Sequence, residues 1–402
     1  MSEVPDSVYQ ILNEAVHGDI NNYTINEHDK NKKGEGFTGE MCFVSLKNKH
    51  GDEDLHYVVK QRLPIESPRV NLPISAYFLN EISFYTAVWP HFQKFQKDKL
   101  NGEALDIIPK CFATSSKDRN ENLVLENLKF QDFQMHNKTN PLSNEQIELI
   151  FKQYGRFHAI SFAYKFINPR EYSEISSKLQ NLWPSTVRMF KEFMGKINDI
   201  CLEFLDPDEE SKVIEKFRSY AESSVEVFTE RSRYKGCYSA VLHGDCWSNN
   251  MMFKYNEDNK LTDMRLLDFQ FANVGTPVSD LSYFLYSGAG KEVLDELDRY
   301  LRLYHTSLTK TLEHFGCDSE NIYPFDALKK DWKDYCKTGF SMALLVWRGK
   351  FTNPSDVKDL QDILEETDTL SDDKNSKDRY DEQSFKETVK NLILHMYDND
   401  FL

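Results

Sequence analysis

The chain has 402 residues, of which 40% are hydrophobic and 28% charged, so its composition is that of a globular protein with room for two domains. Asp and Glu number 65 against 49 Lys and Arg, and the net charge of −16 disfavours a nucleic acid as a partner because the overall field repels polyphosphate. The 7 cysteines are scattered and never spaced C-x-x-C, which argues against a disulfide framework or a zinc site and favours a reducing compartment.

The first residues lack both the basic region and the apolar region of a secretory signal. The longest apolar-rich stretch, 340–347, is less than half a membrane span. We therefore expect a cytoplasmic protein without membrane insertion. The sequence predicts no particular protein partner.

The N-terminal part of the chain is predicted to form one short helix followed by strands. Two β-rich runs, 41–46 and 55–61, are separated by the polar stretch 48–54, which predicts a hairpin. An amphipathic helix is predicted over residues 5–18, since four apolar residues recur on one face: Val8, Ile11, Leu12 and Ala15.

The predicted secondary structure changes along the middle of the chain, from mixed helix and strand to mainly helix. Residues 73–89 predict a helix that ends before Pro90, because proline disrupts a helix interior. Two further strands are predicted at 108–113 and 122–125. Beyond residue 140 long amphipathic helices dominate, interrupted by one β-rich stretch at 240–271.

These patterns predict an α+β fold with two lobes. Residues 1–128 would form a small β-rich lobe and residues 129–402 a large, mainly helical lobe. Ser143 and Gln146, spaced as in a capping box before an apolar run, predict a helix start in the large lobe. The polar and charged residues 370–384 predict an exposed loop.

The strongest functional pattern is H-G-D-C-W-S-N-N at 243–250, followed by an apolar β-run that ends at Asp268. Phosphoryl transfer needs a positioned hydroxyl, neutralised phosphates and correctly held metal ions. Asp245 can orient an acceptor hydroxyl and take its proton, while Asn250 and Asp268 offer hard oxygen donors for Mg²⁺. A hairpin between Asn250 and Asp268 would place both on adjacent strand ends. Alone, His243 and Asp245 could be loop-capping residues, but the full set in this order and spacing favours ATP-dependent phosphoryl transfer.

The small lobe supplies candidate partners for this set. Gly34, Gly36 and Gly39 form a G-x-G-x-x-G run that leads into a strand rather than a helix, which suits a flap over phosphates better than a Rossmann site. Lys60 lies in the next strand, where apolar neighbours would aim its ammonium inward. Glu81, in the following helix, could pair with Lys60. A glycine-rich turn, an edge lysine and a solvated glutamate are the structural alternatives.

The chain resembles the ecdysteroid kinase-like (CHK kinase-like) family, which groups with aminoglycoside phosphotransferases and choline kinases in the protein-kinase-like superfamily. The resemblance runs nearly end to end, and the pattern around Trp247 and Asn249 is fairly specific. The segments that carry it are LHGDCWSNNMMFKY at 242–255, LDFQ at 267–270, DLSYFL at 280–285, VLENL at 124–128 and GRFHA at 155–159.

The resemblance implies a bilobal protein-kinase-like fold that uses ATP and Mg²⁺. It also implies a hinge whose backbone groups bind adenine, formed by Glu126, Asn127 and Leu128. The other implied roles are catalytic base for Asp245, magnesium ligands for Asn250 and Asp268, phosphate-binding lysine for Lys60 and its ion-pair partner for Glu81.

Two details favour a small-molecule alcohol over a protein as the acceptor. Trp247 occupies the position, two residues after the catalytic Asp, where protein Ser/Thr kinases have a lysine. Only 11 residues separate Asp268 from Asp280, too few for a long peptide-docking segment. Asp280 is expected to hold the catalytic loop rather than touch substrate.

The acceptor is expected to bind in the helical lobe. The resemblance suggests a steroid alcohol such as an ecdysteroid. A cationic acceptor of the choline or aminoglycoside type, a protein kinase and a non-catalytic pseudokinase are the alternatives. Aromatic residues at helical spacings are by default core residues, although some could line an apolar cleft: Trp183, Phe190, Phe193, Trp332, Tyr335, Trp347 and Phe351.

Overall fold

The N-terminal lobe is a five-stranded antiparallel sheet in the order β1-β2-β3-β5-β4, with α1 (Asp6–Ala15) packed on it. A computed structural model describes residues 5–16, 18–30, 39–51, 54–62, 73–99, 104–353 and 380–402. The strands are β1 (Tyr23–Lys30), β2 (Gly39–Asn48), β3 (Leu55–Arg62), β4 (Cys111–Lys117) and β5 (Asn120–Glu126). Antiparallel pairing of β2 with β3 confirms the predicted hairpin.

Helix α1 confirms the first predicted helix. Its four buried residues are those expected from the periodicity: Val8, Ile11, Leu12 and Ala15. They pack with buried residues of the sheet, among them Val44, Val59 and Val124. The helix thus covers one face of the sheet and leaves the other face to the remainder of the protein.

Pro90 does not end the helix that precedes it, so that prediction was wrong. The chain runs from α2 (Ile74–Ser83) through a π-helical turn (Phe84–Val88) directly into α3 (Trp89–Lys99). Pro90 is the second residue of α3, and the wider π turn ahead of it already breaks the regular hydrogen-bond ladder. The missing N–H and the bulk of the ring are therefore tolerated there.

Strand β4 begins at Cys111 rather than at residue 108 as predicted. Pro109 has no N–H to donate to a ladder, and the carbonyl of Ile107 accepts from Leu266 N at 2.7 Å instead of pairing in the sheet. Gly39 starts β2, whereas Gly34 and Gly36 lie outside the described residues.

The rest of the described chain is mainly helical, with short strands set among the helices. Three strands form a small sheet in the order β6-β8-β9, and β7 pairs with β10. The strands are β6 (Phe133–Met135), β7 (Ala240–Leu242), β8 (Met251–Tyr255), β9 (Leu261–Leu266) and β10 (Asn273–Gly275). The helices are α4 (Asn144–Ile167), α5 (Pro169–Ser176), α6 (Trp183–Met189), α7 (Lys191–Glu203), α8 (Ser211–Arg231), α9 (Pro277–Gly288), α10 (Lys291–Asp295), α11 (Leu297–His314), α12 (Ser319–Ile322), α13 (Phe325–Tyr335), α14 (Lys337–Lys350) and α15 (Glu382–Asp398).

This arrangement confirms the predicted fold class, a small β-rich lobe joined to a large helical one. The lobe boundary after Leu128 stays a prediction. The capping box of α4 is confirmed, because Ser143 and Gln146 exchange backbone-to-side-chain hydrogen bonds. The predicted loop 370–384 is wrong for its last residues: Asp381 caps α15 through a bond from Ser384 N, and residues 370–379 lie outside the description.

In the described part of the chain, no helix combines the length and the apolar character needed to cross a membrane.

Candidate active site

Lys60 lies in β3, the central strand of the sheet, and two carboxylates hold its ammonium. Its Nζ donates to Glu81 Oε2 at 2.6 Å and to Asp268 Oδ1 at 2.7 Å. Glu81, in α2, is fully buried and also accepts the backbone N–H of Phe269 at 3.2 Å. The structure thus forms the pair that the sequence suggested and adds Asp268 to it.

The charges of this cluster depend on each other. Burial alone would lower the pKa of Lys60, but Asp268 and Glu81 outweigh burial and raise it above its ordinary value. Lys60 therefore stays protonated. Burial raises the pKa of Glu81, and the charge of Lys60 opposes that rise. Removing Lys60 would leave the buried Glu81 carboxylate without its cation, and a buried, unpaired charge typically costs about 3–5 kcal/mol of stability.

Asp268 sits just beyond β9 in a left-handed backbone conformation, with φ +65°. Beside it, Leu267 N donates to the carbonyl of Asn250 at 2.9 Å, so the start of β8 and the end of β9 are tied together. The next residue, Phe269, stacks on Phe84 with ring centroids 3.9 Å apart. Asn250 and Asp268 therefore lie on adjacent strand ends, as predicted.

Asp245 is held on both carboxylate oxygens. Tyr283 Oη donates to Oδ1 at 3.0 Å, and Asn250 Nδ2 donates to Oδ2 at 2.9 Å. Burial, and then the charge of Asp268, raise the pKa of Asp245 to about 7, while the hydrogen bonds from Tyr283 and Asn250 oppose the rise. A carboxylate with a pKa near neutrality is suited to accept a proton from a hydroxyl.

The amide of Asn250 is oriented by the same contacts. Its Nδ2 donates to the backbone carbonyl of Asp245 and to its Oδ2, both at 2.9 Å. An amide oxygen in that place would face two acceptors, so the amide oxygen points the other way. Together with the Asp268 carboxylate, whose side chain is 26% exposed, it forms a hard-oxygen donor set that fits Mg²⁺. Among the described residues, no group of three or more His, Cys, Asp or Glu side chains could hold a metal ion.

His243 is a structural member of the loop. Its Nδ1 accepts the N–H of Asp245 at 3.1 Å, so its Nε2 carries the proton and donates to the carbonyl of Leu267 at 2.8 Å. Burial lowers the pKa of His243, so the ring is neutral. It ties the loop to the strand end that carries Asp268.

Asp280, in the first turn of α9, holds the backbone of the loop, which confirms the expected structural role. Its carboxylate accepts His243 N at 2.8 Å and Gly244 N at 2.9 Å. His158 Nε2 lies 3.2 Å from it, and His158 Nδ1 lies 3.0 Å from Tyr304 Oη. Burial alone would raise the pKa of Asp280, but its hydrogen bond to His158 is the first of the effects that together lower that pKa below its ordinary value. The carboxylate is therefore ionised and a strong acceptor for the loop amides.

Gly244, in the loop 243–250, has no room for a side chain. Its φ is +85°, and a Cβ would lie 2.0 Å from the carbonyl oxygen of Phe271. We expect Gly244→Ala to destabilise the protein by about 2 kcal/mol, through backbone strain and overpacking. Gly195, in the middle of α7, has open space around it, so Gly195→Ala should be neutral or stabilising. Urea unfolding of both variants tests this; equal stabilities would contradict it.

The proposed hinge begins at Glu126, the last residue of β5, and continues with Asn127 and Leu128. Backbone amides of Glu126 and Asn127 donate to the carbonyls of Lys110 and His56, at 2.9 Å and 3.2 Å. Leu128 is buried in a cluster with Phe133 and Met252, against which Leu267 packs. Since Leu267 directly precedes Asp268, this cluster links the hinge to the proposed metal ligand. Adenine binding at the hinge stays a prediction.

One of the singled-out aromatic residues lies beside the loop 243–250, which carries Asp245. Trp183 is half-buried, donates Nε1–H to the Gly244 carbonyl at 2.7 Å and stacks on Phe271 at 4.1 Å. Trp332 and Trp347 are each only 1% exposed, which confirms the expectation that they are core residues. Phe190, Phe193, Tyr335 and Phe351 are partly buried.

Sequence reasoning missed the roles of Tyr283 and His158. Both belong to segments that carried the family resemblance, yet neither was assigned a role. The signal for Tyr283 was available: Asp280 and Tyr283 are three residues apart in a helix and so share a face. For His158, whose partners come from distant elements, no local signal existed.

A family model described as the ecdysteroid kinase-like family matches residues 33–317, well over half of the chain. A search of curated proteins gave no match. Among solved structures, the GDP and kanamycin complex of APH(2")-IIia is 15% identical, with a TM-score of 0.41, covering 80% of this chain and 86% of that one. A glucosamine kinase in complex with glucosamine, ADP and inorganic phosphate is 11% identical, with a TM-score of 0.35, covering 95% and 84%.

Proposed function

Because the chain belongs to the ecdysteroid kinase-like family, we propose that it transfers the γ-phosphoryl group of ATP to a hydroxyl of a small molecule, with Mg²⁺ as cofactor. One observation carries the proposal: Lys60 binds Asp268, and Asn250 lies between Asp268 and Asp245. A cation, a metal-binding oxygen pair and a base are thus contiguous, and these are the parts that phosphoryl transfer requires.

Each residue has one proposed task. Asp245 orients the acceptor hydroxyl and takes its proton as the new oxygen–phosphorus bond forms and the bond to the ADP oxygen breaks. The Lys60 ammonium exchanges its hydrogen bond to Asp268 for one to the phosphates. Its ion pair with Glu81 holds the side chain in the orientation that this contact requires. Asn250 and Asp268 hold Mg²⁺, which when bound supplies charge neutralisation of the phosphate oxygens. Gly34, Gly36 and Gly39 cover the phosphates.

Adenine recognition is assigned to the hinge formed by Glu126, Asn127 and Leu128. The amides of Glu126 and Asn127 already donate within the protein, so we assign the donor to the backbone N–H of Leu128, with hinge carbonyls as acceptors. This donor would lie beside the apolar cluster that Leu128 forms with Met252, which suits a flat, apolar base.

The short segment after Asp268 supports a small acceptor. It contains β10 (Asn273–Gly275) and runs directly into α9 at Pro277. The backbone of β10 pairs with β7, and the side chain of Phe271 stacks on Trp183. Both Phe271 and β10 are therefore packed within the protein. A segment this short, with β10 already paired and Phe271 already stacked, offers little free surface for docking a peptide chain.

We propose a largely apolar alcohol, such as a steroid alcohol, as the acceptor. Trp183 supports this choice, since it places a half-buried aromatic surface beside the loop that carries Asp245. An acceptor bound by burial should keep its KM at high salt, because screening affects only charge–charge attraction and the Debye length falls to about 3 Å at 1 M. The measurement is the acceptor KM at low and high salt. A steep rise with salt would instead favour a cationic acceptor of the choline or aminoglycoside type.

The proposal is tested by measuring ATP consumption with four acceptor classes: hydroxylated steroids, choline, sugars and aminoglycosides. We expect acceptor-dependent ADP formation with a hydroxylated steroid. MgATP binding without turnover in any class would contradict the proposed activity and favour a non-catalytic role.

A further inference from the structure

Helix α9 presents two polar side chains to the catalytic loop, one turn apart. Asp280 accepts the loop amides of His243 and Gly244, as described above. Tyr283 is only 5% exposed and its hydroxyl lies 3.0 Å from Asp245 Oδ1. One helix therefore fixes both the backbone of the loop and the side chain that the loop carries.

The Asp245 carboxylate is held from two sides by two different elements. Tyr283 occupies one acceptor position on Oδ1, and Asn250 occupies one on Oδ2. A carboxylate offers about four such positions, so two stay available for an acceptor hydroxyl. With one donor on each oxygen, rotation of the carboxylate plane would break at least one hydrogen bond to a charged acceptor.

Tyr283 is itself packed against a neighbouring aromatic residue. The rings of Tyr283 and Trp183 make an edge-to-face contact, with centroids 6.3 Å apart and planes at 75°, and Trp183 is in turn bonded to Gly244. At its start, α9 is capped by Thr276, whose hydroxyl accepts Val278 N. Burial raises the pKa of the Tyr283 hydroxyl well above its ordinary value, so it stays a donor at neutral pH.

We propose that Tyr283 is a positioning residue, which fixes the orientation of the Asp245 carboxylate toward the acceptor hydroxyl through its hydrogen bond to Oδ1. The proposal rests on the proposed phosphotransferase function. It assigns Tyr283 no contact with ATP, so its effect should appear in turnover and not in nucleotide binding.

The test compares Tyr283→Phe with Tyr286→Phe on the full chain, with MgATP as the only substrate and water as the acceptor. Tyr286 is a matched control: it lies on the same helix, is fully buried, and its hydroxyl is 3.5 Å from His395 Nε2 rather than in the site. We expect Tyr283→Phe to lower kcat by about 10- to 10²-fold, because small misplacements of a reacting group have effects of that size. The KM for MgATP should not change.

The double variant Asp245→Asn/Tyr283→Phe separates positioning from general support of the fold. If Tyr283 acts through Asp245, the second substitution adds no further loss of kcat in the Asp245→Asn background. An undiminished kcat in Tyr283→Phe, an equal loss in Tyr286→Phe, or an additive loss in the double variant would each overturn the proposal. A wild-type chain that binds MgATP but neither hydrolyses nor transfers its phosphate contradicts the proposed function itself, and the role of Tyr283 falls with it.

Discussion

Replacing Asp245 by Asn should reduce turnover by about 10²–10⁴-fold, the usual contribution of a general base. The side chain keeps its size, and the bond from Asn250 Nδ2 to the backbone carbonyl of residue 245 does not depend on the carboxylate. The loop and the proposed metal ligand should therefore keep their positions. What is lost is the group whose pKa, raised to about 7, suits it to take a proton.

The measurement is kcat together with the affinity for MgATP. Affinity should change little, because Asp245 is assigned to neither phosphate nor metal. Asp263→Asn is a matched control, since Asp263 lies in β9 and pairs with Arg265 outside the site. An Asp245→Asn protein with wild-type turnover would remove the proposed base.

Replacing Asp268 by Ala should lower kcat/KM for MgATP by roughly 10²–10³-fold, and Asn250→Ala should lower it less. Both residues are proposed Mg²⁺ ligands, and a metal ion contributes several kcal/mol of charge stabilisation in such sites. A carboxylate outweighs an amide toward a hard cation, which sets the order of the two effects. Asp268→Ala also removes one of the two carboxylates that hold Lys60.

Titration of Mg²⁺ at fixed ATP measures the effect directly. Both variants should need more Mg²⁺ for half-maximal activity, Asp268→Ala more than Asn250→Ala. Asp258→Ala, in the exposed turn between β8 and β9, should leave the titration unchanged. An unchanged magnesium requirement in both site variants would place the ligands elsewhere.

The local parts of the site were predictable from sequence because the chemistry requires close spacing. Asp245 and Asn250 are five residues apart in one loop, and their contact follows from that spacing. The contact between Lys60 and Asp268 spans 208 positions, so only the combination of motifs could suggest that the two meet.

The other parts depended on tertiary packing that periodicity does not reveal. Tyr283 lies in an apolar helical run that is typical of a core, and the direction of its hydroxyl depends on how α9 meets the loop. The prediction that the helix ends before Pro90 failed because a π turn precedes this proline and lets the helix continue. No sequence pattern predicts a π turn. Strands β6 and β10 have three residues each, too few for an alternating pattern to stand out.

The most direct test of the proposed phosphotransferase activity is to incubate the chain with MgATP and a hydroxylated steroid, and to analyse the products by mass spectrometry. The proposal predicts one added phosphoryl group on the steroid and an equal amount of ADP, with both products lost in Asp245→Asn. Phosphate found instead on serine, threonine or tyrosine of an added protein, or no phosphorylated product of any acceptor class despite MgATP binding, would contradict it.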